Sequence, residues 1–239
     1  MKVCYMSLVL GLLATCAYAA DKTTKSSDQS PSSSSYTRQA IQETQRGLNF
    51  NDRDDFEAAS KGFIATWPDR EIKTSGMPYV VDSLKLALDT PAPATVNPSL
   101  WRQAGLNSYN GLFKVTDKVY QIRGFDISNM TLIEGKSGWI VIDPLSSVET
   151  AAAGLKLANE KLGQKPVVAV IYTHSHVDHF GGVGGVLSAE DAKKRNVPVI
   201  APEGFMEEAI SENLYAGPAM SRRATYMYGM YLQIGRAHV

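Results

Sequence analysis

Hydrophobic and polar positions alternate most clearly between Leu112 and Ala201. Phe113-Lys114-Val115 and Val119-Tyr120-Gln121-Ile122 read as two short strands around the turn Thr116-Asp117-Lys118. Thr131-Leu132-Ile133 and Trp139-Ile140-Val141-Ile142 read as two more, around Glu134 to Gly138. Apolar runs separated by short polar or glycine-bearing turns predict hairpins. Asp143-Pro144 ends the last of these strands. Ser146-x-x-Glu149 predicts a capping-box start to a helix reaching about Leu162, where Gly163 stops it and Pro166 forbids continuation. Val167 to Tyr172 is an unbroken β-rich apolar run, the pattern of a buried strand. Beyond a Gly-rich turn the pattern predicts a helix near Leu187 to Arg195, a strand at Pro198 to Ala201 and a helix from about Glu203 to Asn213. Strand pairs giving way to strand–helix alternation predict a layered α/β domain.

The flanks are less regular. Thr37 to Trp67 scatters Phe50, Phe56, Phe63 and Ile64 among charges, which predicts short helices wrapped on the main domain. Pro68, Pro78, Pro91, Pro93 and Pro98 punctuate the next stretch around one helix at Val81 to Leu88. Seven of the ten residues from Ser26 to Ser35 are serine, too little apolar surface to offset the entropy of ordering, hence a flexible leader. Lys2, the apolar run Leu8 to Leu13 and Ala17-Tyr18-Ala19 predict a secretory signal peptide cleaved after Ala19, and so a periplasmic or secreted protein. Leu13-Ala14-Thr15-Cys16 partly fits a lipid-attachment box instead. At the other end Ile234 to Val239 is what ATCGGAAGAGCACACGTC encodes, a string resembling read-through into a sequencing adapter; the native sequence would then be a fragment reported only to about Gln233. The expected organisation is a signal peptide at 1–19, a leader at 20–36, a helical and irregular wrap at 37–111, an incomplete catalytic domain at 112–233 and the tail at 234–239.

Charge and composition narrow the function. The 24 Lys+Arg balance 24 Asp+Glu, so there is no basic surplus of the kind that nucleic-acid binding uses. An apolar fraction of 44% with 20% charged residues is globular usage. No apolar stretch reaches the roughly 20 residues that a membrane span needs. Cys4 and Cys16 both fall in the signal peptide, which removes disulfides and cysteine ligands from the mature chain.

The chemistry concentrates in Thr173-His174-Ser175-His176-Val177-Asp178-His179. Three of the four histidines lie within six residues, and the fourth, His238, is in the suspect tail. His174 and His176 are two apart, so on an extended segment they project to one side and can grip one ion together. Asp178 and His179 follow at a turn and can reach a second ion. Imidazole and carboxylate donors without sulfur suit zinc or another first-row divalent ion. Gly181, Gly182, Gly184 and Gly185 let the backbone fold tightly beside the cluster. The cluster follows a buried strand, where α/β folds place their ligands.

His-x-His-x-Asp-His resembles the hexad of the metallo-β-lactamase superfamily. The resemblance implies an αββα sandwich, here truncated on its C-terminal side. It implies that His174 and His176 hold a first metal and Asp178 and His179 a second, with Asp178 also the catalytic candidate. Asp143 matches a strand-end aspartate that braces the metal loop, with a plain turn before Pro144 as the other reading. The strings Asn97 to Arg102, Gly111-Leu112-Phe113, Gln121 to Thr131, Tyr215-Ala216-Gly217, Met220 to Arg223 and Tyr226 to Gly229 resemble the zinc-dependent alkylsulfatases more closely. That implies two Zn2+ per complete site, hydrolysis of alkyl sulfate esters with C–O cleavage, and a homodimer built through a later helical domain. Arg222 and Arg223 are candidates for contact with the sulfate anion, a solvated arginine pair being the equally open reading. The remaining metal ligands would follow the point where this chain stops, so the 239-residue chain alone is expected to be inactive. The competing readings are another hydrolase of the superfamily (β-lactamase, lactonase or thioesterase) and a non-catalytic binding protein on the same scaffold.

Overall fold

The structure, a computed structural model, describes residues 32–69, 71–75 and 78–227. The expected signal peptide, both cysteines, most of the serine tract and the tail lie outside the described residues. The chain divides into units 1–32 and 33–239, and the fold described belongs to the second.

Ser34 accepts the Thr37 N–H and caps helix α1 (Ser35–Gly47), satisfying one of the donors a first turn leaves unpaired. Helix α2 (Asp54–Ser60) buries Phe56, over which the Arg53 and Arg102 guanidinium groups lie at 3.8 and 4.9 Å. Phe63–Ala65, in a stretch predicted to form short helices, is instead strand β1. Gly62, at φ 76°, turns the chain into it, and Phe63 stacks edge-on against Phe113 at 5.5 Å. Strands β2 (Glu71–Ile72) and β3 (Tyr79–Val80) make a separate two-stranded ribbon. Helix α3 (Lys85–Asp89) covers the later part of the helix expected from Val81. Helix α4 (Pro98–Asn107) begins with Pro at its first turn and Asn97 as its cap.

Strands β4 (Gly111–Thr116), β5 (Val119–Arg123), β6 (Met130–Glu134) and β7 (Trp139–Ile142) follow as antiparallel neighbours, with β1 on the outer side of β4. Helix α5 (Val148–Leu162) then crosses over, so β8 (Val167–Ile171) pairs parallel with β7. Its core side carries Thr150, Ala151, Ala153, Gly154, Leu157 and Ala158, a helical stripe laid on the sheet. A Cβ on Gly154 would sit 2.8 Å from Met130 and 3.2 Å from Ile122, so the helix approaches the strands as closely as glycine permits. Leu112, Ile122, Met130, Leu132, Trp139, Val141 and Val170 complete that core, each fully buried. The cap of α5 differs from expectation by one residue. Ser147, not Ser146, accepts the Thr150 N–H, because the Ser146 hydroxyl is turned away onto Asp126. Glu149 does not reach back in a capping box; its carboxylate accepts its own and the Ser75 N–H, which hold it below the usual carboxylate range.

After β8 come the histidine turn, helix α6 (Val183–Val186), helix α7 (Ala189–Arg195) and the parallel edge strand β9 (Val199–Ile200). The seven-stranded sheet runs β1-β4-β5-β6-β7-β8-β9. Helix α8 (Phe205–Ile210) is shorter than predicted, since from Ser211 to Tyr215 the backbone opens into one π turn. Helix α9 (Gly217–Met227), absent from the sequence reading, ends the described chain. Among the described residues no helix is long and apolar enough to cross a membrane.

Candidate metal centre

Two loops and one turn build the site at the carboxyl ends of β7 and β8. The first loop leaves β7 through Asp143 and Leu145, both at positive φ, 53° and 61°. Aspartate tolerates that region, but a leucine there is a true outlier. Leu145 is fully buried, so packing holds the loop in this shape. The second loop, Gly124 to Asn129, is pinned by Asp126. Its carboxylate accepts the Ile127 and Ser146 N–H groups at 2.7 and 3.2 Å and the Thr150 hydroxyl at 2.8 Å. From the same loop the Ser128 hydroxyl donates to the carbonyl of Asp178.

The histidines leave β8 on Thr173. Val177–His179 is a single 3-10 turn, closed by the His179 N–H on the His176 carbonyl at 3.0 Å. The His174 ring lies between the other two, 4.5 Å from His176 and 4.1 Å from His179 between centroids. His179 Nε2 is 3.3 Å from a carboxylate oxygen of Asp178. The chain then turns back under the first loop. A Cβ on Gly182 would fall 2.1 Å from the Pro144 carbonyl oxygen and one on Gly181 2.4 Å from that of Ser146. These glycines are where two backbones touch.

That contact brings Asp143 to the histidines. One carboxylate oxygen accepts the Thr173 N–H at 2.8 Å; the other accepts the Thr173 hydroxyl at 2.7 Å and His179 Nδ1 at 2.9 Å. With Nδ1 donating, His179 carries its lone pair on Nε2, the nitrogen beside Asp178. His174 Nδ1 lies 2.9 Å from the Thr173 hydroxyl, which leaves its Nε2 free. His176 is the exposed member, its side chain 58% accessible. Its Nε2 is 3.4 Å from Glu212 on the π turn.

The structure therefore gathers His174, His176, Asp178, His179 and Asp143. Arg222 and Arg223 are exposed on α9, and their side chains make no hydrogen bond or ion pair with these residues. Nor do three or more His, Cys, Asp or Glu side chains among the described residues converge into a finished cage. The donor chemistry fits a divalent ion nonetheless, with neutral imidazole lone pairs held in orientation by oxygen partners and a carboxylate alongside.

Sequence reasoning does not reach Asp126, Ser128 and Glu212 as parts of this assembly. An aspartate just past a strand end, in a loop without an obvious turn role, is the available signal for Asp126. A cavity of about 450 Å3 runs along the same loop, lined by Tyr79, Arg123, Asp126, Ile127 and Asn129 but by none of the histidines. Burial lowers the Arg123 guanidinium, and burial followed by the charge of Asp126 pushes the Tyr79 phenol up to about 12.

The metallo-beta-lactamase superfamily model matches residues 123–226. The chain is 51% identical over 199 residues to the alkyl/aryl-sulfatase BDS1 of Saccharomyces cerevisiae, covering 82% of this chain and 31% of the relative. It is 52% identical over 188 residues to a linear primary-alkylsulfatase of Pseudomonas sp., covering 77% and 28%. The structure superposes on the stereoselective inverting sec-alkylsulfatase Pisa1 of Pseudomonas sp. with a TM-score of 0.77 at 46% identity, over 84% of this chain and 32% of that one. The chain spans about a third of the length of the curated relatives it matches. Residues 123–226 match the metallo-beta-lactamase superfamily, and the described chain shares the fold of the matched third of an alkylsulfatase.

Proposed function

We propose that this chain contributes the first half of the zinc site of an alkyl sulfate hydrolase. The observation that carries the reading is the grouping of three imidazoles and Asp178 at the carboxyl end of β8, with Asp143 fixing His179 from behind. Identity near 50% to alkylsulfatases supports the substrate class. His174, His176 and His179 would hold metal through ring nitrogens and Asp178 through its carboxylate. Zinc bound there supplies Lewis acidity that lowers the pKa of a water molecule to about 7. The protein's own part is to orient those donors: Asp143 and Thr173 fix ring tautomers, and Asp126 with Ser128 locks the neighbouring loop against the turn. Arg222 and Arg223, exposed on α9, stand as the candidates for contact with the sulfate anion.

The test places residues 37–227 in the Pseudomonas linear primary-alkylsulfatase, replacing the segment they match. Sulfate released from dodecyl sulfate is then measured with and without a chelator. The reading predicts release that chelation abolishes, that zinc restores and that His174→Ala loses. A folded chimera that releases no sulfate, or is indifferent to chelator, contradicts it. Turnover of a β-lactam, a lactone or a thioester in its place would assign the scaffold to one of the competing hydrolase classes.

A further inference from the structure

The three histidines share a pattern that reaches beyond the residues expected from the hexad. Each has a ring nitrogen facing an oxygen partner, and His179 has Nε2 facing Asp178 at 3.3 Å as well. For His174 it is Nδ1, against Thr173; for His179 it is Nδ1, against Asp143. For His176 it is the opposite nitrogen, Nε2, against Glu212. A ring nitrogen that donates to an oxygen leaves the other as the only lone pair. Donation from Nδ1 leaves Nε2 to His174 and His179; a proton on His176 Nε2, 3.4 Å from Glu212, would leave that ring Nδ1.

Glu212 comes to this place for structural reasons. Tyr172 at the end of β8, Phe180 after the histidine turn and Phe205 at the start of α8 pack together, with centroids 5.2 to 5.9 Å apart. That cluster fixes the start of α8 beside the histidine turn. The π turn then closes with the Ala216 N–H on the Ser211 carbonyl, a span of five residues. Wider turns of this kind recur at functional sites, because the extra residue re-aims the side chains around it. Glu212 is 26% accessible, against 58% for His176, so the carboxylate is the more sheltered of the two.

We propose that Glu212 is a positioning residue for the metal site: it holds His176 through Nε2 so that Nδ1 is the nitrogen offered to metal. The inference rests on reading the histidine turn as a metal site. Loss of such an outer partner typically costs about 10- to 100-fold in metal affinity.

The experiment uses the 239-residue chain, its Glu212→Ala and Glu212→Gln variants, and zinc as the probe. Zinc affinity is measured by competition with a chromophoric chelator, and long-range proton–nitrogen correlation spectra of the zinc-loaded chain report which nitrogen of each histidine carries the proton. His176 is expected to be protonated at Nε2, and His174 and His179 at Nδ1. Glu212→Ala should weaken zinc binding at least about 10-fold. Glu212→Gln keeps an acceptor oxygen and should stay within a few-fold of the unchanged chain. His176 protonated at Nδ1 would overturn the proposal without any variant. Equal affinity in Glu212→Ala would overturn it too, as would complete loss in both variants, which would make Glu212 a ligand itself. If the unchanged chain binds no zinc, the metal-site reading falls and this proposal falls with it.

Discussion

Asp143 accepts three donors that follow β8, and its 53° φ is one an aspartate or asparagine tolerates. Asp143→Asn is therefore the substitution that tests its chemistry without straining the backbone. An asparagine keeps one acceptor but turns an NH2 group toward His179 Nδ1. The ring would answer by accepting there and carrying its proton on Nε2, the nitrogen that otherwise holds the lone pair. Zinc affinity should fall about 10- to 100-fold, while denaturant unfolding shifts by no more than about 2 kcal/mol. Unchanged affinity would show that His179 does not need Asp143. Tyr79 makes a separate prediction. Its phenol ionises near 10.0 when unfolded and at about 12 in the fold. The folded state thus disfavours the phenolate, and the stability this contributes is full below pH 10 and lost as pH rises toward 12. Melting temperatures followed from pH 9 to 12 should fall more steeply for the unchanged chain than for Tyr79→Phe. Parallel curves would contradict the burial of that hydroxyl.

The elements around the site were legible in proportion to how local their causes are. β4 to β8 and the body of α5 follow from alternation, turns and a helical stripe, and they stand within a few residues of where the pattern puts them. The hexad was legible because its donors sit within six residues of chain. Ser146 and Ser147 are adjacent and equally suited to a cap; Asp126, twenty residues away, decides between them. Ser128 and Asp178 are fifty residues apart, and no local periodicity encodes their contact. The π turn that delivers Glu212 continues a helical pattern, so the sequence shows a helix where the backbone opens. The structure grades the glycines after the histidine turn. A Cβ on Gly182 meets the Pro144 and Ser147 carbonyl oxygens at 2.1 and 2.5 Å, backbone that cannot step aside. On Gly184 it meets only a Val148 methyl at 3.3 Å. Gly182→Ala should cost about 3 kcal/mol in urea unfolding, and Gly184→Ala less than about 1 kcal/mol. Equal costs would mean that the two loops are not in contact as described.

Among the described residues, seven strands and the α5 layer form a frame with the histidine turn at its strand ends, and the loops at those ends are braced against one another by Asp126, Asp143 and two glycines, Gly181 and Gly182. In the proposed site such a frame would orient the ring nitrogens through their oxygen partners. The central claim is that His174, His176, Asp178 and His179 bind zinc. X-ray absorption at the zinc edge of the zinc-loaded chain tests it most directly, since it reads ligand type and distance together. The account predicts nitrogen and oxygen neighbours at about 2.0–2.2 Å with the outer-shell scattering of at least two imidazoles. A sulfur shell at about 2.3 Å, or a spectrum without imidazole scattering, would contradict it.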